Sequence, residues 1–319
     1  MSLAAYGWTE ERQKAFASFR DDGLTPGRVV GEHRTHYQVA TDAGELSAVT
    51  PGRVRNEANL RSELPGVGDF VAVRPAPGEG HATIEAVLPR SSALIRKASG
   101  KETPQLLAAN VDVAFIVTGL DGDYNVARIE RFLTLVRESG AMPVIVANKA
   151  DLARNAADVV AELSAKAPDV AVHLTGARAG EGLAALEHYF EDNRTIVLIG
   201  SSGVGKSTMI NQFLGRAAQE TQEVRGHDSR GRHTTTHRQL FLRNGGGAII
   251  DTPGMRGLEV WSASEASAPD FSDIEALAAG CKFRNCGHKS EPGCAVRAAI
   301  AGGALEAGRL QAYAASGRR

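Results

Sequence analysis

The stretch Thr195–Ile210, TIVLIGSSGVGKSTMI, decides the fold of this chain. It begins with a short apolar run, Ile196–Gly200, which predicts a buried strand. Gly200–Ser207 then reads G-x-x-x-x-G-K-[ST], the pattern of a phosphate-binding loop between a strand and a helix. The other interpretation, a glycine-rich turn that only caps a helix, does not explain the lysine and the hydroxyl that complete the pattern. The stretch therefore predicts a site for a nucleoside triphosphate.

Each residue type in this loop has a chemical role. Its glycines let the chain curl until successive backbone N–H groups face one concavity, and the following helix points the positive end of its dipole there. We expect Lys206 to act as a catalytic group that reaches the β- and γ-phosphates, and the Ser207 hydroxyl to bind Mg²⁺. The predicted nucleotide-binding residues of the loop are Gly200, Ser201, Ser202, Gly203, Val204, Gly205, Lys206, Ser207 and Thr208.

Length and composition indicate a globular protein with several domains. The 319 residues are enough for two or three, and 43% hydrophobic with 23% charged residues is an ordinary soluble composition. A net charge of −1 gives no overall basic field, so any contact with RNA must come from local patches. No apolar run has transmembrane length and the N-terminus is too polar for a signal peptide, which predicts a cytoplasmic protein without a membrane partner. We also expect a monomer.

Residues 1–90 are predicted to form a short helix followed by a small barrel. Thr9 is a suitable N-cap for the helix. Five short alternating segments follow, separated by turn residues, which favours a closed β-barrel of the OB type. They are GRVVGEH, HYQVAT, GELSAVT, DFVAVRP and HATIEAVL. Such barrels often bind oligonucleotides. The alternative, that the barrel is only a structural appendage, stays open, because its arginines are balanced by acidic residues and its aromatic residues are few.

Residues 91–260 are predicted to form an α/β domain, entered through a polar connector at residues 90–105. Strands are expected at Asp112–Thr118, Met142–Ala147, Val170–Leu174, Ile196–Gly200, Gln239–Leu242 and Ala248–Ile250. Helices are expected at Val126–Ser139, at Ala156–Lys166, around Gly182–Tyr189 and after the phosphate loop. This alternation is typical of a parallel sheet covered on both faces, with a nucleotide at the switch point in strand order.

Two further motifs directly follow strands of this sheet. Asn148-Lys149-Ala150-Asp151 is an N-K-x-D box, in which the Asp151 carboxylate can accept both N–H groups on the edge of guanine while Asn148 ties the loop together. Asp251-Thr252-Pro253-Gly254 is D-x-x-G, with a carboxylate for Mg²⁺ through water and a glycine N–H for the γ-phosphate. Either motif alone also fits an exposed loop or a turn. Together with the phosphate loop they predict GTP rather than ATP, bound by Asn148, Lys149, Ala150, Asp151, Asp251 and Gly254.

All three cysteines lie in one C-terminal window, which indicates a metal site rather than a disulfide framework. Cys281-x₄-Cys286-x-His288-x₅-Cys294 offers three thiolates and an imidazole, the donor set of a closed structural zinc site. Ordinary buried cysteines are the alternative. A helix from Ala295 is expected to pack on these ligands, so residues 261–319 are predicted to form a zinc-binding helical module.

The order of the nucleotide motifs is unusual. In ordinary GTPases the phosphate loop comes first, whereas here Asn148 precedes Gly200, and Thr175-Gly176-Ala177 lies between them where the loop against the base is expected. This order indicates a circularly permuted GTPase sheet, which is feasible because such connections run over the surface. The barrel, the permuted sheet and the zinc module together resemble the ribosome small-subunit-dependent GTPases of the RsgA family. The resemblance implies late maturation of the small ribosomal subunit, contacts with rRNA, and GTP hydrolysis stimulated by that subunit.

Gly231–Thr236 resembles the switch segment of that family. The resemblance implies that a threonine of this segment completes the Mg²⁺ shell, and we take this residue to be Thr235. Ser207, Thr235 and Asp251 would then surround the ion. The alternative is that the segment is only a solvated basic loop. Met255 stands where many GTPases carry the glutamine that orients water, so slow intrinsic hydrolysis is expected. His233 is the nearest substitute, although an ordinary loop histidine stays equally open. The predicted catalytic residues are His233, Lys206 and Thr235.

Three functions compete on these observations. The first is a GTP hydrolase, with Mg²⁺ and one zinc ion, whose nucleotide state (GTP or GDP) controls docking on the small ribosomal subunit. Met255 favours the second, a non-catalytic, GTP-gated RNA-binding or assembly module. The third, a P-loop ATPase or kinase, conflicts with Asn148 and Asp151, and competition of ATP against GTP tests it.

Overall fold

The structure, a computed structural model, divides the chain into two compact units, Met1–Glu259 and Val260–Arg319. The first unit holds both the predicted barrel and the predicted GTPase sheet, and the division into residues 1–90, 91–260 and 261–319 stays a prediction. The structure describes residues 2–33, 35–57, 60–76, 80–97, 104–122, 124–153, 155–215, 238–251, 274, 277–283, 286–288, 291–303, 305 and 310.

The elements of the first unit alternate as the sequence predicts. Its described strands are β1 (Thr25–Glu32), β2 (Tyr37–Thr41), β3 (Gly44–Val49), β4 (Phe70–Arg74), β5 (Ala82–Val87), β6 (Ala93–Lys97), β7 (Pro104–Ala109), β8 (Val113–Gly119), β9 (Met142–Asn148), β10 (Val172–Thr175), β11 (Thr195–Ile199), β12 (Arg238–Leu242) and β13 (Ala248–Asp251). Its described α-helices are α1 (Glu10–Ala15), α2 (Ala17–Asp21), α3 (Gly52–Glu57), α4 (Val126–Ser139), α5 (Ala156–Lys166) and α6 (Lys206–Leu214). Short 3₁₀ helices cover Leu3–Tyr6, Arg61–Glu63, Ala150–Leu152 and Leu183–Asn193.

Strands β1 to β5 close into a five-stranded barrel, which confirms the predicted architecture. They follow the order β1-β2-β3-β5-β4, and β4 pairs again with β1. The interior is aliphatic, with Val29, Val39, Val71 and Ile84 fully buried, because alternate residues of each strand face inward. Thr9 caps the N-terminal helix as expected, its hydroxyl accepting from the backbone N–H of Arg12.

One local prediction was wrong, and one predicted helix is of a different type. Residues 90–105 are not a simple connector, because β6 and the start of β7 form a two-stranded antiparallel hairpin there. Leu94 and Leu107 bury their side chains in the hydrophobic core of the large sheet, which stabilises the hairpin. The polar composition of residues 90–105 does not indicate this burial. The helix expected around Gly182–Tyr189 is a longer 3₁₀ helix, whose end is interrupted by the left-handed backbone of Asp192 (φ 57°).

The phosphate-loop strand β11 lies in the middle of the sheet. The spatial order is β10-β9-β8-β11-β13-β12, so the chain runs outward from β8 to β10 and then returns to the other side of β8. The pairs among β10, β9, β8, β11 and β13 are parallel, while β12 is antiparallel to β13, which corrects the expectation of a wholly parallel sheet. Because strand order reverses between β8 and β11, their carboxyl ends form the predicted switch point.

Strand β12 also pairs with β1, so the barrel and the sheet are continuous. A buried arginine strengthens this junction. Arg28 of β1 donates to the carbonyl oxygens of Tyr6 (2.5 Å), Gly68 (3.1 Å) and Asn110 (3.1 Å), and to the hydroxyl of Thr195 (2.8 Å), the first residue of β11. Burial is the main cause that lowers the pKa of this guanidinium to about 9. The barrel is therefore attached to the strand that leads into the phosphate loop.

The second unit has its own small core. Ile274, Val296 and Leu305 are buried together with Cys286 and Cys294. Helix α7 (Ala295–Ala301) begins directly after Cys294, as the sequence predicts. Among the helices described in either unit, none is long and apolar enough to span a membrane.

Candidate nucleotide site and metal cluster

The phosphate loop adopts a backbone that its glycines make possible. Gly200, Gly203 and Gly205 have φ values of 144°, 81° and 104°, a region that side chains disfavour. A Cβ on Gly200 would lie 2.1 Å from the carbonyl oxygen of Val117, and one on Gly205 would lie 2.2 Å from the Asn148 side-chain nitrogen. The loop is thus packed against β8 and the N-K-x-D box, and helix α6 starts immediately at Lys206.

Polar groups of the loop fit a bound phosphate. The Lys206 ammonium donates to the carbonyl oxygens of Gly200 (2.6 Å) and Ser201, which holds the cation against the loop. The hydroxyl of Ser201 is buried and has no hydrogen-bond partner in the described part of the chain. A buried polar atom without a partner is unfavourable unless a ligand or water satisfies it. Ser207 and Thr208 lie half-buried in the first turn of α6.

Asn148 connects the three loops that the sequence assigns to the nucleotide. Its side-chain nitrogen donates to the carbonyl oxygen of Val204 in the phosphate loop at 2.7 Å. Its side-chain oxygen accepts from the hydroxyl of Thr175 and the backbone N–H of Ala177, both at 3.0 Å. The side chain is buried, so these bonds form where water does not compete. The structure therefore brings together segments that are 56 residues apart in the chain.

The remaining residues of the N-K-x-D box lie beside the same loop. Asp151 is exposed, and a Cβ on Gly176 would lie 3.5 Å from its Oδ1, so the carboxylate faces the loop expected to pack against the base. Lys149 has a left-handed backbone (φ 63°), and its ammonium forms an ion pair with Asp121. Asp121 is absent from the predicted site, although it follows the carboxyl end of β8, an edge where such residues are expected.

The structure places Asp251, the first residue of D-x-x-G, at the end of β13, next to β11 in the sheet. The carboxyl ends of β9, β11 and β13 thereby present Asn148, the phosphate loop and Asp251 at one edge. His233, Thr235 and Gly254 lie outside the described residues, as does Met255. Their predicted roles in hydrolysis and Mg²⁺ binding stay predictions.

The four predicted zinc ligands form one cluster. The ligand atoms of Cys281, Cys286, His288 and Cys294 all lie within 4.8 Å of one another. The Cys281 sulfur is 3.7 Å from Nδ1 of His288 and 3.9 Å from the Cys294 sulfur, and Nδ1 is 3.4 Å from the Cys294 sulfur. Tetrahedral zinc, with Zn–S near 2.3 Å and Zn–N near 2.0 Å, places its ligands roughly 3.5 to 3.8 Å apart. The cluster therefore fits a metal ion of that size.

Comparison with known sequences agrees with this site. Residues 87–261 match the family described as RsgA GTPase. A relative from Opitutus terrae, named "Small ribosomal subunit biogenesis GTPase RsgA", is 44% identical over 98% of this chain and 88% of its own length. A relative of the same name from Streptomyces coelicolor is also 44% identical, over 98% of this chain and 85% of its own length.

Solved structures show the same architecture. YjeQ from Thermotoga maritima is 26% identical, with a TM-score of 0.57 over 91% of this chain and 96% of its own. YloQ, described as a circularly permuted GTPase, is also 26% identical, with a TM-score of 0.52 over 91% of this chain and 93% of its own. The permuted strand order predicted from the motifs is thereby confirmed. The matched range contains the phosphate loop, the N-K-x-D box and Asp251, and the chain belongs to the RsgA GTPase family.

Proposed function

We propose that this protein hydrolyses GTP during late maturation of the small ribosomal subunit, that docking on the subunit stimulates hydrolysis, and that the protein contacts rRNA. The three hydrogen bonds of the Asn148 side chain support a GTP site most directly. They join the N-K-x-D box to the phosphate loop and to the loop at Thr175–Ala177 that is expected to pack against the base. The names of the relatives support the ribosomal role. A non-catalytic assembly module is not favoured, since the family is a GTPase family. We also propose that the protein acts as a cytoplasmic monomer.

Each part of the site has a defined task under this proposal. Lys206 and the backbone N–H groups of the phosphate loop bind and neutralise the phosphates, and Asp151 selects guanine. Ser207, Thr235 and Asp251 hold Mg²⁺, which when bound draws charge from the phosphate oxygens. His233 orients the attacking water in place of the glutamine that Met255 replaces. The cluster of Cys281, Cys286, His288 and Cys294 holds one structural zinc ion.

The barrel carries a surface suited to single-stranded RNA. The rings of His33 and His36, in the β1–β2 loop, stack with centroids 4.5 Å apart, and His36 stacks with His81, just before β5, at 5.9 Å. A depression of about 250 Å³ lies beside them, lined by His36, Gln38, Glu45, Leu46 and Ser47. Barrels of the OB type bind oligonucleotides at these loops, and histidine rings stack on bases. The histidines supply the flat rings that the low aromatic content does not suggest, which favours RNA binding over a structural appendage.

Docking that depends on the nucleotide tests the ribosomal part of the proposal. The full chain should co-sediment with purified small subunits in the presence of a non-hydrolysable GTP analogue and much less in the presence of GDP, because only the triphosphate completes the switch contacts. Purified large subunits serve as the control and should carry little protein in either state. Equal co-sedimentation with both subunits, or none with the small one, would contradict the proposal.

Asp151→Asn should change which base the protein binds. An amide can donate to the carbonyl that xanthine has where guanine has an amino group, whereas it loses one charge-assisted contact to guanine. We expect GTP affinity to fall about 10- to 100-fold, the size of one or two lost hydrogen bonds to a charged group, and xanthosine triphosphate affinity to rise. Titration of both nucleotides measures the change, with Asp158→Asn, at an exposed position of helix α5, as the control. Full GTP affinity with no gain for xanthine would refute the assignment of this box.

A further inference from the structure

Strand β12 lies between the barrel and the strand that ends in Asp251. On one side, Gly31 and Glu32 of β1 pair with Gln239 and Arg238. On the other side, Gln239 pairs with Asp251 of β13. Gly31, Gln239 and Asp251 thus form one row across three hydrogen-bonded strands. A shift of the barrel strand at this point acts directly on the strand that positions the proposed Mg²⁺ carboxylate.

An ion pair joins the two residues next to this row, Glu32 and Arg238. Arg238 donates to the Glu32 carboxylate at 2.9 Å, and the two side chains are only 15% and 28% exposed. Partial burial makes such a pair less screened by water and salt than a surface pair. The described ladder between β1 and β12 pairs Gly31 with Gln239 and Glu32 with Arg238, and the ion pair joins the side chains of the second pair. Arg238 also follows the proposed switch segment, which ends at Thr236, by two residues.

The other partner of the pair adjoins the proposed RNA surface. Glu32 is the last residue of β1, and the β1–β2 loop with His33 and His36 follows it immediately. The backbone N–H of His33 donates to the carbonyl oxygen of His36 at 2.9 Å, so this loop is closed on itself next to Glu32. A ligand that stacks on these rings would therefore restrain the residue beside the ion pair.

We infer that the Glu32–Arg238 ion pair is a positioning device through which contact on the barrel's histidines regulates GTP hydrolysis. It fixes the start of β12, and with it Asp251 across the ladder. RNA bound to the β1–β2 loop favours the arrangement in which Asp251 is set for Mg²⁺, because a ligand shifts an equilibrium by its differential affinity for the two states. This inference rests on the proposed function and specifies the regulation of the same site.

Conservative substitutions in the full chain test the ion pair. Glu32→Gln and Arg238→Gln each remove it while keeping a side chain of similar size. We expect stimulation of kcat by small subunits to fall about 5-fold or more, the lower range of allosteric coupling, with the KM for GTP unchanged. We also expect basal turnover to need more Mg²⁺ for half-maximal rate. The charge swap, Glu32→Arg with Arg238→Glu, should restore much of both losses.

A matched control lies at the other end of the same strand. Arg243, just after β12, forms an ion pair with Glu187, so Glu187→Gln removes an ion pair without touching the barrel. Equal losses in Glu187→Gln, or losses in Glu32→Gln that the charge swap does not recover at all, would overturn the inference. Unchanged Mg²⁺ dependence in both single variants would also overturn it. If small subunits do not stimulate the unaltered protein, the proposed function fails, while the Mg²⁺ dependence of basal turnover still decides the role of the pair.

Discussion

Lys206→Ala should lower GTP turnover about 10²- to 10³-fold, the loss that follows removal of one preorganised charge-stabilising group. Lys206 is the one cationic residue in the sequence of the phosphate loop, Gly200–Thr208. Its ammonium already lies against the loop carbonyl oxygens of Gly200 and Ser201. Alanine leaves the backbone N–H groups in place but removes the charge that offsets the phosphates. Release of inorganic phosphate under saturating GTP measures the loss, and nucleotide titration separates weaker binding from slower chemistry.

A second lysine supplies the control for this variant. Lys166, at the end of α5, pairs with Glu130 at 3.4 Å and is about half-exposed. Lys166→Ala removes the same side chain from the surface, and turnover should stay at the level of the unaltered protein. Turnover in Lys206→Ala close to that of Lys166→Ala would show that the loop does not bind the reacting phosphates as proposed.

Removal of the metal should unfold the second unit and leave GTP binding intact. Its four ligands all come from residues 281–294, so metal binding energy is folding energy for that segment, on the order of 10 kcal/mol for structural zinc. The nucleotide loops lie in the first unit and share none of these ligands. Elemental analysis should give one zinc ion per chain. A chelator that strips the metal should expose all three thiols to a thiol reagent without changing GTP affinity.

Substitution of single ligands sharpens the test. Cys294→Ser and His288→Ala should each lose bound zinc, while His81→Ala, a histidine of the barrel, should keep it. A folded second unit without metal in the unaltered protein would contradict the zinc assignment. A disulfide between Cys281 and Cys294 under the same conditions would contradict it as well.

The parts of the fold that the sequence predicts are those set by local chemistry. Gly200, Gly205 and Lys206 identify the phosphate loop because the backbone geometry and the phosphate charge each require one residue type. The N-K-x-D box that begins at Asn148 likewise predicts where the guanine base binds, because recognition of the base edge requires particular residue types. Its position before the loop predicts the permutation, which the strand order confirms. The cysteine spacing likewise predicts a cluster that the structure brings together.

The parts that the sequence does not predict depend on distant partners. Residues 90–105 look polar as a whole, but Leu94 within them and Leu107 just after them are buried against residues far along the chain, which stabilises the hairpin of β6 and β7. Arg28 resembles any surface arginine of the barrel until its hydrogen bond to Thr195 is seen, 167 residues away. The histidine stack forms because the barrel closes and places His81 beside His36. No local pattern encodes such pairings.

We propose that this protein is a GTPase whose activity responds to the small ribosomal subunit. The most direct measurement is multiple-turnover GTP hydrolysis by the full chain, with and without purified small subunits, and with large subunits as the control. The free protein should turn over slowly, at roughly 10⁻⁴ to 10⁻² per second as unstimulated GTPases do, and small subunits alone should raise the rate clearly. The same slow rate with and without small subunits would contradict this proposal.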